Sequence, residues 1–378
     1  MVWWLGSLVA SAQDAGTVTG AFGKGLTLRN ADDTLSMQIR GRVQTRASVW
    51  AYAPDSGEEP VSEIAIRRMR MTFAGHAMTK DLTYYVQLAF SNQDTESDLR
   101  LPLRDAYVNY AWARDLELRV GQGKVPFGRQ RVTSSGSLEL PDRSITVAEL
   151  NLDRDVGVSA LSKDLGGAGG RFGYAVGLFG GDGRNRLGER FGYLAAGRIV
   201  LRPMGEFDDN VEADLTRDPR ARLSIAASLG YNADTDRPRS TLSEPFEFAT
   251  FDYLHAGGDA MLKVGGFCGQ AELLLRRANQ DVVDTGGVLE YSRSGYGWYV
   301  QAGQMLTEHV ELVARYGDLV PAPGTDPEFV RARELGGGPS YYFDGHNLKL
   351  QADYFYLPTG DSFDGGAHQV RTQLQLWL

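Results

Sequence analysis

The sequence has little cysteine, lysine or histidine, and it lacks long apolar runs. The single cysteine, Cys268, excludes an intramolecular disulfide and a zinc cluster built on cysteines. No stretch beyond the N-terminus approaches the roughly 18 apolar residues of a spanning helix, which excludes a helical membrane protein. The net charge of −9 argues against nucleic acid as a partner. Only six of the 39 basic residues are lysines, which fits either high genomic G+C content or an arginine-lined anion site.

Glycine and aromatic residues are abundant instead. The 378 residues include 46 Gly, 17 Tyr, 16 Phe and 6 Trp, which is too aromatic for a disordered chain. Glycine spread evenly among aromatics indicates strands joined by turns.

Apolar and polar residues alternate with a period of two in many segments. Between Ser36 and Val49 the apolar residues share one parity and the arginines and glutamines share the other. This is the pattern of a strand and not of a helix. The same alternation recurs at 82–91, 171–180, 223–231, 348–356 and 370–378.

Connections between the strand segments alternate between short turns and long polar loops. Eight long loops and seven turns predict sixteen strands joined as hairpins, although the connection 203–221 is too long for a turn. The predicted long loops are 51–62, 91–102, 126–153, 180–191, 232–250, 277–294, 317–330 and 357–367. Strands of about ten residues with this asymmetry are typical of outer-membrane barrels, in which closure removes unpaired edges.

We therefore predict an all-β fold, a transmembrane antiparallel up-and-down β-barrel. A β-propeller or a β-solenoid would need a fixed sequence repeat, and the chain has none. The last alternating strand ends at Leu378, as expected for recognition by the barrel-assembly machinery, although Phe is more usual there.

The chain divides into three predicted parts. Residues 1–12 resemble the remnant of a signal peptide without its basic region, with a hydrophobic tail as the alternative. Residues 13–35 are predicted to be a periplasmic segment, and residues 36–378 the barrel, with 126–153 as a constriction loop.

Strand parity assigns several arginines to the lumen. If Met37 and Ile39 face lipid, then Arg40, Arg42 and Arg46 face water. An arginine facing mid-bilayer lipid would cost about 2–4 kcal/mol. In the next strand the same argument places Arg68 and Arg70 inside, whereas Arg67 reaches the lumen only from a bulge or above the membrane.

Several motifs resemble the phosphate-selective porin family in an order that covers most of the chain from Phe22 onward. The longest is Val120–Ser135, VGQGKVPFGRQRVTSS. The others are IRGRVQ from Ile39, IRRMR from Ile66, RDAYV from Arg104, LELPDRS from Leu138, RDVGV from Arg154 and QAEL from Gln270.

The resemblance implies a sixteen-stranded homotrimeric barrel whose third long loop folds into the lumen beside an arginine ladder for anions. Arg131 occupies the place of the lysine found in phosphate-specific members, before Thr133-Ser134-Ser135. The family's constriction arginines correspond to Arg42, Arg67, Arg68 and Arg143, and its lumen aspartate to Asp105. With the parity argument and the loop, the candidate pore-lining residues are Arg40, Arg42, Arg46, Arg67, Arg68, Arg70, Arg129, Arg131, Arg143, Arg154, Lys124 and Asp105.

Lys124 remains ambiguous, because it shares parity with Leu118 and Val120 and could extend to the membrane interface as readily as into the pore. The loop acids Glu139, Asp142, Glu149 and Asp153 could also neutralise the loop arginines.

We predict a porin of the bacterial outer membrane, surrounded by lipid, that passes small anions passively, with phosphate as the preferred class. The alternatives are a weakly selective general porin or a barrel with an enzymatic or receptor role. The five scattered histidines have no serine in a nucleophile context, so we predict no enzyme. We predict no metal and no cofactor, and we interpret the Asp-rich loops as turns rather than Ca²⁺ sites.

Overall fold

A computed structural model describes residues 16–53, 56–95, 101–186 and 191–378. The predicted signal peptide at 1–12 lies outside the described residues. No helix within these ranges is long and apolar enough to cross a membrane.

The described residues are mostly strands. In chain order the strands are β1 (Thr17–Ala21), β2 (Gly25–Arg29), β3 (Ser36–Ala51), β4 (Val61–Ala77), β5 (Thr79–Ala89), β6 (Leu103–Ala113), β7 (Leu116–Lys124), β8 (Arg154–Ser162), β9 (Phe172–Phe179), β10 (Tyr193–Leu201), β11 (Arg222–Thr235), β12 (Phe251–Val264), β13 (Phe267–Ala278), β14 (Val282–Thr285), β15 (Val288–Tyr291), β16 (Gly295–Met305), β17 (Val310–Pro321), β18 (Ala332–Asp344), β19 (Leu348–Leu357) and β20 (Ala367–Trp377). The helices are α1 (Arg129–Val132) and α2 (Ile145–Leu150), with 3₁₀ turns at Asn92–Asp94 and Leu165–Gly167.

Sixteen of these strands, β3–β13 and β16–β20, form a closed antiparallel barrel. Each pairs with its neighbour along the chain, and β20 closes the ring on β3 with Trp377 opposite Arg42. The Leu378 amide donates to the Gly41 carbonyl at 2.8 Å, so the pairing continues to the last residue. Closure leaves no strand edge exposed to hydrocarbon. The predicted sixteen-stranded barrel is confirmed.

The barrel has a long-loop rim and a short-turn rim. Two predicted loops, 232–250 and 317–330, are shorter than expected because β11 and β17 continue through Thr235 and Pro321. Within the predicted segment 13–35, the β1–β2 hairpin extends the wall below the end of β20, where Leu26 pairs with Ile39 of β3.

Side chains alternate between the outer surface and the lumen as the period of two requires. On β3, Arg42 is 1% exposed, whereas Val49 on the opposite face is 47% exposed. Ile64 and Leu178 on other strands are also turned outward and exposed. The outer surface is therefore an apolar band of the kind that faces lipid.

Two connections enter the lumen. The inward loop, residues 125–153, starts at the long-loop rim, and its Val125, Phe127, Val147 and Leu150 pack into a buried cluster with wall residues such as Leu274 and Tyr299. The inner segment, residues 202–221, enters from the short-turn rim. Lys263 on β12 donates to its Asp208 and Val211 carbonyls at 3.0 and 2.7 Å. The long connection that did not fit a turn is therefore part of the lumen filling.

Candidate functional site

The inward loop divides the lumen into two water-accessible cavities. The outer cavity, of about 610 Å³, opens toward the long loops, and the inner cavity, of about 490 Å³, opens toward the short turns. Four arginines line both cavities and define what we call the constriction: Arg70, Arg104, Arg131 and Arg143.

Basic side chains dominate both cavities. Among the described residues, the inner cavity is lined by ten basic side chains and two acidic ones, Asp105 and Asp209. The outer cavity is lined by ten basic side chains and four acidic ones. The water-filled path is therefore strongly cationic although the whole chain is acidic. Such a path raises the local concentration of anions and lowers that of cations.

Two β-bulges bring adjacent polar residues to the lumen. The register between β3 and β4 shifts at Gln44 and Thr45, so Arg67 is an extra residue beside Arg68. A similar shift between β5 and β6 makes Arg104 an extra residue beside Asp105. A bulge sets two residues opposite one partner and breaks the alternation locally.

Near the closing seam, Trp377 packs against two arginines of β3. The Arg40 and Arg42 guanidinium carbons lie 4.2 and 4.9 Å from the Trp377 ring centroid, within cation–π range. Arg42 also donates to Ser135 Oγ of the inward loop at 2.8 Å. A Cβ at Gly136 would lie 2.3 Å from Arg42 Nη1 and 3.0 Å from the Trp377 ring, so a larger residue there would displace the Arg42 guanidinium.

Asp142 of the inward loop gathers the arginines at the outer end of the site. Its carboxylate contacts Arg46, and it lies 2.7 Å from Arg68 Nη2 and 3.4 Å from Arg67 Nε. Arg70 lies one step deeper and is paired with Asp94 of the second long loop at 2.5 Å. The outer rungs of the predicted ladder are therefore partly neutralised.

Lys124 points into the lumen. Its ammonium donates to the Val132 and Thr133 carbonyls of the inward loop at 2.7 and 3.1 Å. Arg143 donates to the same Thr133 carbonyl at 2.8 Å and to the Gln130 carbonyl at 2.7 Å. Both cations thus converge on one turn of the loop.

Arg131 and Arg154 share a carboxylate, Asp153. Arg131 is in contact with it, and Arg154 Nη1 donates to it at 2.8 Å while its Nε donates to Asp105 at 2.9 Å. Burial and the neighbouring cations, above all Arg143, lower the pKa of Arg131. Burial, together with Arg70, lowers the pKa of Arg143 to about 10, so its guanidinium stays charged at neutral pH. Both shifts come first from burial and then from the positive charges that crowd the constriction.

Like Arg40, Arg42 and Arg46, Arg129 lines neither cavity. Its side chain is 1% exposed, and it donates to Asp259 at 2.7 Å, to Ser224 at 2.8 Å and to the Asp209 carbonyl at 2.8 Å. The prediction that it lines the pore is corrected: α1 begins against the wall, so Arg129 fixes the loop to the barrel and to the inner segment.

Asp153 pairs with Arg131 and Arg154 as expected, whereas Glu149 and Glu139 have other partners. Glu149 pairs with Arg276 on β13 at 2.5 Å and with Arg293, just before β16, at 3.1 Å, instead of an arginine of the inward loop. Glu139 accepts from Gln301 at 2.6 Å, and its backbone amide donates to Glu212 of the inner segment at 2.8 Å. Burial and the nearby carboxylates Glu311 and Glu212 raise the pKa of Glu139 well above its usual value.

Sequence reasoning missed several lumen cations. Arg104 was hidden by its bulge. Other basic residues lining the cavities had the correct strand parity but no matching motif; they are Arg119, Arg198, Arg315 and Arg371. Arg202, just after the end of β10, was missed as well. Within the described ranges, no group of three or more His, Cys, Asp or Glu has the arrangement of a metal site.

A model of the family described as phosphate-selective porin O and P matches residues 37–375. Three solved structures are similar in fold. An anion-selective porin from Comamonas acidovorans is 12% identical, with a TM-score of 0.59, over 90% of this chain and 99% of that chain. OmpF from Salmonella typhi is 14% identical, with a TM-score of 0.60, over 92% and 99%. OmpT from Vibrio cholerae, in its trimer form, is 10% identical, with a TM-score of 0.53, over 90% and 99%. No curated protein matches this chain in sequence.

Proposed function

Since this chain belongs to the phosphate-selective porin O and P family, and is therefore an outer-membrane porin channel, we propose that it conducts small anions with a preference for phosphate-type oxyanions. The family and the fold favour a channel over an enzyme. The single observation that carries the proposal is the excess of basic over acidic side chains along both cavities, ten to two in the inner one.

The constriction suits an oxyanion that must give up part of its hydration. Guanidinium groups replace lost water with charge-assisted, fork-shaped hydrogen bonds at any physiological pH. Arginines at successive depths, from Arg68 through Arg70 to Arg143, let an anion pass from one to the next. Conduction needs binding that is favourable enough to admit the ion and weak enough to release it.

A weakly anion-selective general porin is the second candidate, and one observation favours it. Asp94, Asp105 and Asp153 pair with constriction or ladder arginines, so part of the positive charge is cancelled. Arg131, in place of the family's lysine, also argues against a strict phosphate site, because its bulky guanidinium is held on Asp153.

We further propose that the porin is a homotrimer, as the resemblance implies and as the Vibrio cholerae OmpT structure is described. Export by a signal peptide at 1–12, a periplasmic segment at 13–35 and assembly through the C-terminal strand complete the proposal.

Planar-bilayer recording tests the proposal. In a KCl gradient, the reversal potential should lie on the anion side. Phosphate at millimolar concentration should block the chloride current, and anion selectivity without block would leave the general porin. A reversal potential on the cation side would refute anion conduction altogether.

A further inference from the structure

The carboxylate of Asp142 occupies the middle of the outer arginine cluster, which we define as Arg46, Arg67, Arg68 and Arg371. All four come within 4.0 Å of its oxygens. A fifth arginine, Arg315 on β17, donates to the Asp142 carbonyl oxygen at 3.0 Å. A single carboxylate thus stands where basic groups converge from three wall strands, β3, β4 and β20.

The anion and the cations belong to different parts of the molecule. The arginines are fixed on the barrel wall, whereas Asp142 is carried by the inward loop, just before Ser144 caps α2 by accepting from the Val147 amide at 3.1 Å. Burial by itself would raise the pKa of Asp142, but its arginine neighbours outweigh burial and hold the pKa well below its usual value. The carboxylate is therefore ionised at neutral pH, and the loop presents it to the wall as a permanent anion.

The loop has other anchors. Phe127, Val147 and Leu150 are fully buried against the wall. Arg129 links α1 to Asp259, and the Glu139 amide is held by Glu212. Docking of the loop therefore does not depend on Asp142 alone, and its position among the arginines calls for a second explanation.

We propose that Asp142 is a tethered counter-anion that sets the affinity of the outer arginine cluster for permeating oxyanions. This inference rests on the proposed anion conduction. Asp142 accepts the hydrogen bonds that an incoming oxyanion would otherwise take. A permeating anion must share the cluster with it, so binding there is weakened and release toward the constriction is faster.

The electrostatics give the expected direction. Replacing the carboxylate with an amide makes the cluster more positive by one unit charge without changing the size of the side chain. Interaction with a fixed charge scales with the charge of the mobile ion, so divalent and polyvalent anions gain more affinity than chloride. Polyvalent anions should therefore bind more tightly at the cluster and leave it more slowly.

Asp142→Asn is the test, with phosphate block of the chloride current at neutral pH as the readout. We expect the half-blocking concentration to fall on the order of tenfold, with a larger fall for pyrophosphate. Asp142→Glu keeps the charge and should restore block close to that of the native protein. Glu149→Gln is the matched control, because Glu149 lies on the same loop and is also held by arginines but lines neither cavity; its block should not change.

A charge-balanced variant, Asp142→Asn with Arg67→Gln, separates charge from structure. Its half-blocking phosphate concentration should equal that of the native protein. A value as low as that of Asp142→Asn alone would overturn the proposal. If Asp142→Asn does not fold while the balanced variant does, the carboxylate is structural and the proposal also fails. A native channel that selects cations refutes anion conduction itself, whereas an anion-selective channel with unchanged block in Asp142→Asn refutes only the counter-anion.

Discussion

The two faces of the inward loop place charged side chains in different surroundings. On the face toward the cavities, Arg131 and Arg143 line the inner cavity together with Ser134 and Ser135. On the face toward the wall, Leu138 and Leu140 are 1% exposed, and between them Glu139 is buried with Glu212. Two segments that are adjacent in sequence therefore meet different dielectric surroundings.

This contrast explains how an acidic protein can contain a basic channel. A buried carboxylate has little influence on the pore when a cation pairs with it or when burial raises its pKa, and Glu139 is an example of the raised pKa. The guanidiniums on the water side keep their charge. If the channel conducts anions as proposed, its selectivity should depend on which face of the loop each charge occupies and little on the net charge of −9.

Weakening the packing of the inward loop against the barrel wall should have the largest effect, and this effect should be on stability. Phe127 is fully buried in the loop–wall cluster, so Phe127→Ala should lower the free energy of unfolding by about 3–5 kcal/mol through lost burial and a cavity. Urea unfolding in detergent micelles measures this. Phe191→Ala is the control, since Phe191 is 99% exposed. Equal losses in both variants would mean that the wall face does not hold the loop.

Reversing a charge on the water face should come next. Arg143 donates only to backbone carbonyls among the described residues, so its charge acts on the pore uncancelled by a paired carboxylate. Arg143→Glu should lower the anion-to-cation permeability ratio on the order of tenfold, which corresponds to about 1.4 kcal/mol. Reversal potentials measure the ratio. Arg114→Glu, at an exposed turn, should leave it nearly unchanged, and similar shifts in the two variants would contradict the site.

A smaller effect is expected from pH, because the stability that the wall face of the loop provides should depend on the protonation of Glu139. Because the folded-state pKa of Glu139 is raised, its contribution to stability is complete below the unfolded-state value near 4.5 and is lost as pH rises through the folded-state value. The thermal midpoint of the native protein should therefore fall between weakly acidic and alkaline pH. Glu139→Gln should flatten this dependence, and an unaltered slope would assign it to other groups.

The smallest effect is expected outside the lumen. Arg220 on the inner segment pairs with Asp218 at 2.8 Å, but it is on the exposed side of the short-turn rim. Solvent-exposed ion pairs contribute little. Arg220→Gln should change neither the reversal potential nor the thermal midpoint, and a measurable change in either would show that the rim also acts on the pore.

The sequence allowed much of the barrel to be predicted, because alternation reports which side of a wall each residue faces. Arg40, Arg42 and Arg46 follow that rule on β3. The exceptions arise where the backbone leaves the regular pleat. Arg67 and Arg104 are turned inward by bulges, which depend on the register with the neighbouring strand and show in the sequence as a change of parity, from Ile64 and Ile66 to Met69 and Met71 on the outer face of β4.

Long-range contacts were equally hidden. Asp142 lies 96 residues after Arg46 and 229 residues before Arg371, and only barrel closure and loop folding bring the three together. Arg129 was predicted to line the pore because its motif resembles the family's loop, yet its place is set by Asp259 and Ser224 on distant strands. The inner segment likewise shows its role only through its partners across the lumen.

The bulges on β4 and β6 also affect how closely charged side chains can be spaced along the channel. A regular strand offers one inward side chain about every 6.8 Å, since alternate residues point away and each residue advances about 3.4 Å. An inserted residue halves that spacing, as between Arg67 and Arg68. Insertion or deletion of one codon in a strand could thus add or remove one inward side chain while the rest of the barrel keeps its strand pairing.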